Sequence, residues 1–119
     1  MDSKLTAWLE AITSEGPLPN DCEAIYIGIF EQESEYGLHF LGSTEFDAED
    51  DDWACEKPGD YLPQQRNLLD TGIPLSTDWQ ATLSLIADAV RRLSSAGTTI
   101  LSSTDNVAVG FDDGDLERI

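Results

Sequence analysis

A chain of 119 residues, 40% of them apolar, has room for one core and no second. Three Trp, four Phe and runs of Ile and Val exclude disorder throughout. Six basic residues against twenty-four acidic ones leave a net charge of −18 at pH 7, a field that repels phosphate backbones and anionic lipid and speeds encounter with a basic partner.

The acids are unevenly placed: sixteen of the twenty-four lie in the first sixty residues, against Lys4 and Lys57. Acidity can serve solubility or a saline cytoplasm alone, and the uneven placement argues for a partner instead. Cys22 and Cys55 stand far apart without a Cys-x-x-Cys, which fits free thiols in a reducing compartment better than a disulfide framework. One His and two scattered Cys do not make a zinc site. No apolar run approaches eighteen residues, and the first residues lack a basic and then apolar leader. A cytoplasmic protein that contacts neither membrane nor nucleic acid is expected.

In chain order, Leu5, Trp8, Leu9 and Ile12 recur at helical spacing, with Asp2 or Ser3 to cap the helix and Gly16 and Pro17 to stop it. Residues 22–30 are apolar on both faces, as in an internal strand covered twice, and Gly28 leaves space for a close approach. An acidic turn over 31–35 leads to an antiparallel partner strand at 36–41. Residues 44–75 show no period and carry Pro58, Gly59, Pro63, Gly72 and Pro74. They read as a long acidic loop held to the core by Phe46, Trp53, Tyr61, Leu68 and Leu69, with a short strand at 66–69.

A second helix is expected over 77–96, capped by Ser76 or Thr77, with Asp78 in its first turn and Arg91 and Arg92 in its last. Its apolar stripe is Trp79, Leu83, Ile86, Val90 and Leu93, and Gly97 ends it. Strands at 98–101 and 107–111 follow, then a tight turn at Asp112, Asp113, Gly114 and Asp115 and a short tail. The expected fold is a single α+β domain in the order αββ-(loop)-αββ. Two helices lie on one face of a mostly antiparallel sheet of four to five strands.

The run from Phe46 to Trp53 is the most distinctive feature. Asp47, Glu49, Asp50, Asp51 and Asp52, with Glu45 before them, resist burial and must stay wet, hold a cation or meet basic groups. A calcium loop of the EF-hand kind started at Asp47 needs Gly where Asp52 stands and Glu where Pro58 stands, so that motif fails. A solvated loop and a partner-docking loop remain. In the second reading Trp53 and Tyr61 supply rings for arginine, and the carboxylates of Asp112, Asp113 and Asp115 join the same face. His39 falls in a strand with no nucleophile beside it by motif, and neither a glycine-rich dinucleotide fingerprint nor a phosphate-binding loop is present. No catalytic residue, cofactor or metal is assigned.

Tyr26 to Phe30, Phe46-Asp47 to Trp53-Ala54-Cys55, and Val107-Ala108-Val109-Gly110-Phe111 with the Asp turn after it follow a pattern met in bacterial proteins. In size, charge, address and aromatic-studded acidic loop, the chain resembles the small acidic immunity proteins that guard bacteria against polymorphic or contact-dependent toxins. That resemblance implies a binding role and leaves architecture open. The expected function is a non-enzymatic inhibitor whose acidic face docks on a basic protein, such as a toxin's nucleic-acid-binding cleft. The alternative is a structural or regulatory subunit that binds through an apolar surface.

Overall fold

The computed structural model describes residues 2–112 and 114–119. Helix α1 (Asp2–Ser14) leads into strands β1 (Ala24–Glu31) and β2 (Tyr36–Ser43); after a 3-10 turn at Asp51–Ala54 come β3 (Asn67–Leu68) and helix α2 (Trp79–Ala96). A second 3-10 turn at Ile100–Ser103 precedes β4 (Val107–Phe111) and β5 (Leu116–Arg118). The five strands form one sheet in the order β3-β2-β1-β4-β5. The fold is α+β, but the sheet is mixed, because β1 and β4 run parallel with Ile25 opposite Val107 and Gly28 opposite Gly110. Two antiparallel pairings, β1 with β2 and β2 with β3, leave β3 running in the sense of β1, and the crossover through α2 brings β4 back in that same sense on the far side of β1.

Period-two alternation divides β1 between two cores. Ile25, Ile27 and Ile29 join Leu38, Phe40, Val107 and Val109 under Leu5, Leu9 and Ile12 of α1 and Ile86 and Val90 of α2. On the opposite face Tyr26 packs with Ala24, Leu41, Ala108 and Trp53, flanked by Phe46, Ala54, Leu62 and Leu116. The expectation of a strand covered twice holds, with the helices on one side and the acidic loop on the other.

Several local expectations are corrected. Residues 98–101 form no strand: Thr99 caps a 3-10 turn by accepting from the Leu101 N–H, and Ile100 and Leu101 bury among the helices. Both edges of β1 are already paired, to β2 and β4, so burial overrides the β-propensity of this segment. The tail is a strand instead, with Ala108 opposite Arg118. The cap of α2 is Asp78, whose carboxylate accepts from the N–H groups of Gln80 and Ala81, and Gly97 closes the helix at φ 71°. Arg91 and Arg92 lie before the last turn of α2. Ser3 lies within α1, and the Asp2 side chain is outside the described residues. Trp79, assigned to the buried stripe, is 55% exposed.

Candidate functional site

The acidic loop stands on a polar platform at the end of β2. Ser43, fully buried, donates from Oγ to the Trp53 carbonyl at 2.9 Å and accepts from the Glu45 N–H at 3.2 Å. Lys57 Nζ reaches the same Ser43 Oγ at 2.9 Å, the Trp53 carbonyl at 3.0 Å and Asp60 Oδ2 at 3.3 Å. Asp60 in turn accepts from the N–H and hydroxyl of Thr44 and the N–H of Lys57. Burial pushes the Asp60 carboxyl up, but the hydrogen bonds from Thr44 and Lys57 and the Lys57 charge outweigh it and hold the group below the ordinary range.

Burying a large side chain such as that of Trp53 is worth about 1.5–3 kcal/mol, whereas ordering one residue's backbone costs about 1–2 kcal/mol. One anchor therefore cannot order so long a loop: Phe46, Ala54 and Leu62 pack beside Trp53, Leu68 and Ile73 enter the helix-side core, and the Ser43–Lys57–Asp60 network adds its hydrogen bonds.

From this platform the carboxylates project into water. Glu45, Asp47, Glu49, Asp50, Asp51 and Asp52 are all exposed. Asp47 accepts from the Glu49 N–H and Asp50 from the Asp52 N–H, each at 2.9 Å, so local turns set their directions. Asp51 Oδ2 accepts from the Leu116 N–H at 3.3 Å and ties the loop to β5. Among the described residues none of these six carboxylates takes part in an ion pair. Arg118 lies over the Phe46 ring at 4.7 Å, a cation–π contact that leaves the acids free. No three His, Cys, Asp or Glu side chains among the described residues are placed to share a metal ion.

Two adjoining depressions gather these groups. One of about 320 Å³ is lined by Glu45, Asp47, Asp50 and Asp52 with Glu23, beside Phe46 and Trp53. The other, of about 430 Å³, is lined by Asp51, Asp52, Glu56 and Asp112 with Tyr26, His39 and Cys55. Asp52 belongs to both, so the acids form one continuous face.

A strand glycine makes room for the His39 side of the second depression. Gly28 faces His39 across β1 and β2 and Gly110 across β1 and β4. The His39 ring lies over Gly28 and reaches Asp112, with Nε2 2.7 Å from Oδ1, while Leu116 and the Asp115 carbonyl cover Gly110. The single hydrogen of Tyr26 Oη is shared between the same Oδ1 at 3.0 Å and the Gly110 carbonyl at 3.1 Å. Partial burial raises the Asp112 carboxyl, yet the hydrogen bond and charge of His39 and the Tyr26 hydroxyl bring it below its usual value. An ionised carboxylate only accepts, so Nε2 carries the hydrogen of the His39–Asp112 contact.

The expected site residues thus separate. Glu45, Asp47, Asp50, Asp51, Asp52 and Asp112 share the acidic face, whereas Glu49 lines neither depression. Trp53, expected both to hold the loop to the core and to offer a ring to arginine, is 3% exposed and does the first, since its indole fills the space beneath the loop. Tyr61 lies across the sheet from Trp53, edge-on to Phe40 and packed against the helix-side core. Burial, with Glu15 and Cys22 adding to it, pushes the Tyr61 hydroxyl up. Asp115 lines a neighbouring groove, and Asp113 lies outside the described residues.

Two members of the face escaped sequence reasoning. Glu56 stands just beyond the acidic run, where its position was signal enough. Glu23 joins the face through strand register alone: Ala24 pairs with Ser43, and the Glu23 N–H donates to the Ser43 carbonyl at 2.7 Å. Comparison with protein-family models, curated proteins and solved structures gives no match. No helix among the described residues is long and apolar enough to cross a membrane.

Proposed function

We propose that this chain is a non-enzymatic protein-binding module, an immunity protein or inhibitor of a bacterial toxin system. Its acidic face docks on a basic protein surface such as a toxin's nucleic-acid-binding cleft. The observation that carries this reading is the continuous face through Asp52, on which the run's carboxylates stand exposed and, among the described residues, outside any ion pair. Carboxylates presented this way stand where substrate phosphates would meet the basic cleft, and the net charge of −18 steers encounter. The protein works in the cytoplasm, where such a toxin would act, and its field disfavours nucleic acid and anionic membranes as partners.

The test is the association rate with the basic partner recovered from the native cell. It should fall by about tenfold or more from low to physiological salt, where charge is screened beyond about 8 Å. It should fall again in the triple variant Asp50→Asn, Asp51→Asn, Asp52→Asn. A rate indifferent to both changes ends this reading.

The second reading, a subunit of an assembly that binds through an apolar surface, is favoured by one observation: Trp79 and Leu85 of α2 are 55% and 43% exposed. Under it the triple variant binds its partner as the parent does.

A further inference from the structure

We infer that the groove between the start of α2 and the β4–β5 hairpin receives an apolar segment of the basic partner that also carries arginine or lysine, with Trp79 as its platform. This rests on the reading of a cationic partner and names a second contact for it. Trp8 and Trp53 are 5% and 3% exposed, whereas Trp79 is 55% exposed. Its ring is held edge-on to Phe111 at 6.2 Å, and Phe111 is edge-on to Tyr36 at 5.8 Å, so an aromatic row runs from the core to the surface. Leu83 and Leu116 complete an apolar floor in a groove of about 750 Å³.

The rim decides the occupant. Glu31, Asp115 and Glu117 line it; Glu117 is paired with Arg91, while Glu31 and Asp115 take part in no ion pair among the described residues. An apolar floor beside unpaired carboxylates suits a guanidinium lying on an indole with an aliphatic neighbour beneath it. A second copy of this chain is the poorer occupant, because each copy carries −18. The groove also shares Phe111, Gly114 and Leu116 with the cleft that holds Asp112, so a partner seated on the acidic face reaches Trp79 without leaving the surface.

The test uses two short peptides of equal charge, alternating Arg and Leu in one and Arg and Gly in the other. Binding is followed by the fluorescence of Trp79, the exposed tryptophan, and independently by calorimetry. The Arg-Leu peptide should bind about tenfold more tightly, a preference of about 1.4 kcal/mol, and should blue-shift the emission. Trp79→Ala should abolish that preference while leaving the Arg-Gly affinity unchanged, and Glu31→Gln with Asp115→Asn should weaken the Arg-Leu peptide most. Equal affinities in the parent chain, a preference that survives Trp79→Ala, or self-association that buries Trp79 without peptide overturns the inference. The Asp50, Asp51 and Asp52 triple variant separates the two levels: loss of Arg-Gly binding there supports the acidic face and leaves the groove's preference for Leu to be judged on Trp79→Ala.

Discussion

His39 lies over the backbone of Gly28, its strand partner, and occupies the space a side chain at position 28 would take. A Cβ built there overlaps the imidazole Nε2 and stands 2.6 Å from Asp112 Oδ1. The bond from His39 to Asp112, which joins β2 to the end of β4 across β1, therefore depends on a missing side chain.

Gly28→Ala should displace the ring and break that bond. Overpacking of this kind costs about 1–3 kcal/mol, to be measured by chemical denaturation. The His39 ring resonances should lose their dependence on Asp112. An alanine variant as stable as the parent, with the imidazole signals unmoved, would show that the ring does not need this space.

Lys57 and Asp60 hold the acidic loop from beneath. Lys57→Met strips its hydrogen bonds from Ser43, from the Trp53 carbonyl and from Asp60. Hydrogen bonds to charged groups are worth about 1.5–3 kcal/mol, so global stability should fall by about that amount, with faster proteolysis between residues 45 and 60. The pH dependence follows from Asp60. Its folded-state pKa is lowered, so its stabilisation is complete above the unfolded value, near about 3.9, and is lost as pH falls through the folded one. The stability gap between parent and Asp60→Asn should be full at neutral pH and close in acid below that range. A gap that stays constant into strong acid would show that the carboxylate's charge is not what stabilises.

The two thiols differ in accessibility. Cys55 is exposed and lines the acidic face. Cys22 is half-buried with Sγ 3.6 Å from the Gly42 carbonyl, and burial together with the neighbouring Asp21 pushes its thiol up. The thiolate is the nucleophile, so iodoacetamide near neutral pH should label Cys22 more slowly than Cys55 by about tenfold or more. Mass spectrometry of a timed reaction should show a singly labelled product at Cys55, and equal rates would contradict the burial of Cys22.

Much of the fold was legible because its signals are local. The spacing of Leu5, Trp8, Leu9 and Ile12 marks the buried face of α1, and the two-sided apolar run marks a strand covered twice. The parallel pairing of β1 with β4 was missed although strand, helix and strand stand in order, because the segment 98–101 carries β-branched residues and competes for the next strand. At the site, the acidic run and its anchor Trp53 were plain from composition and spacing, but Trp79, placed on the apolar stripe of α2, is exposed. Periodicity gives the side of an element on which a residue stands, and it is silent on whether another element covers that side.

By itself the sequence determined the sign of the field, the density of carboxylates over 45–52 and the glycine that leaves space at position 28. Tertiary structure alone decided that Glu23 joins Glu45 in one depression, that His39 reaches Asp112 seventy-three positions away, and that Asp52 links two clefts into one face. Charge and local spacing act along the chain, so they are written in it residue by residue. Register and cover depend on which distant segments are packed together, and only the folded chain sets those.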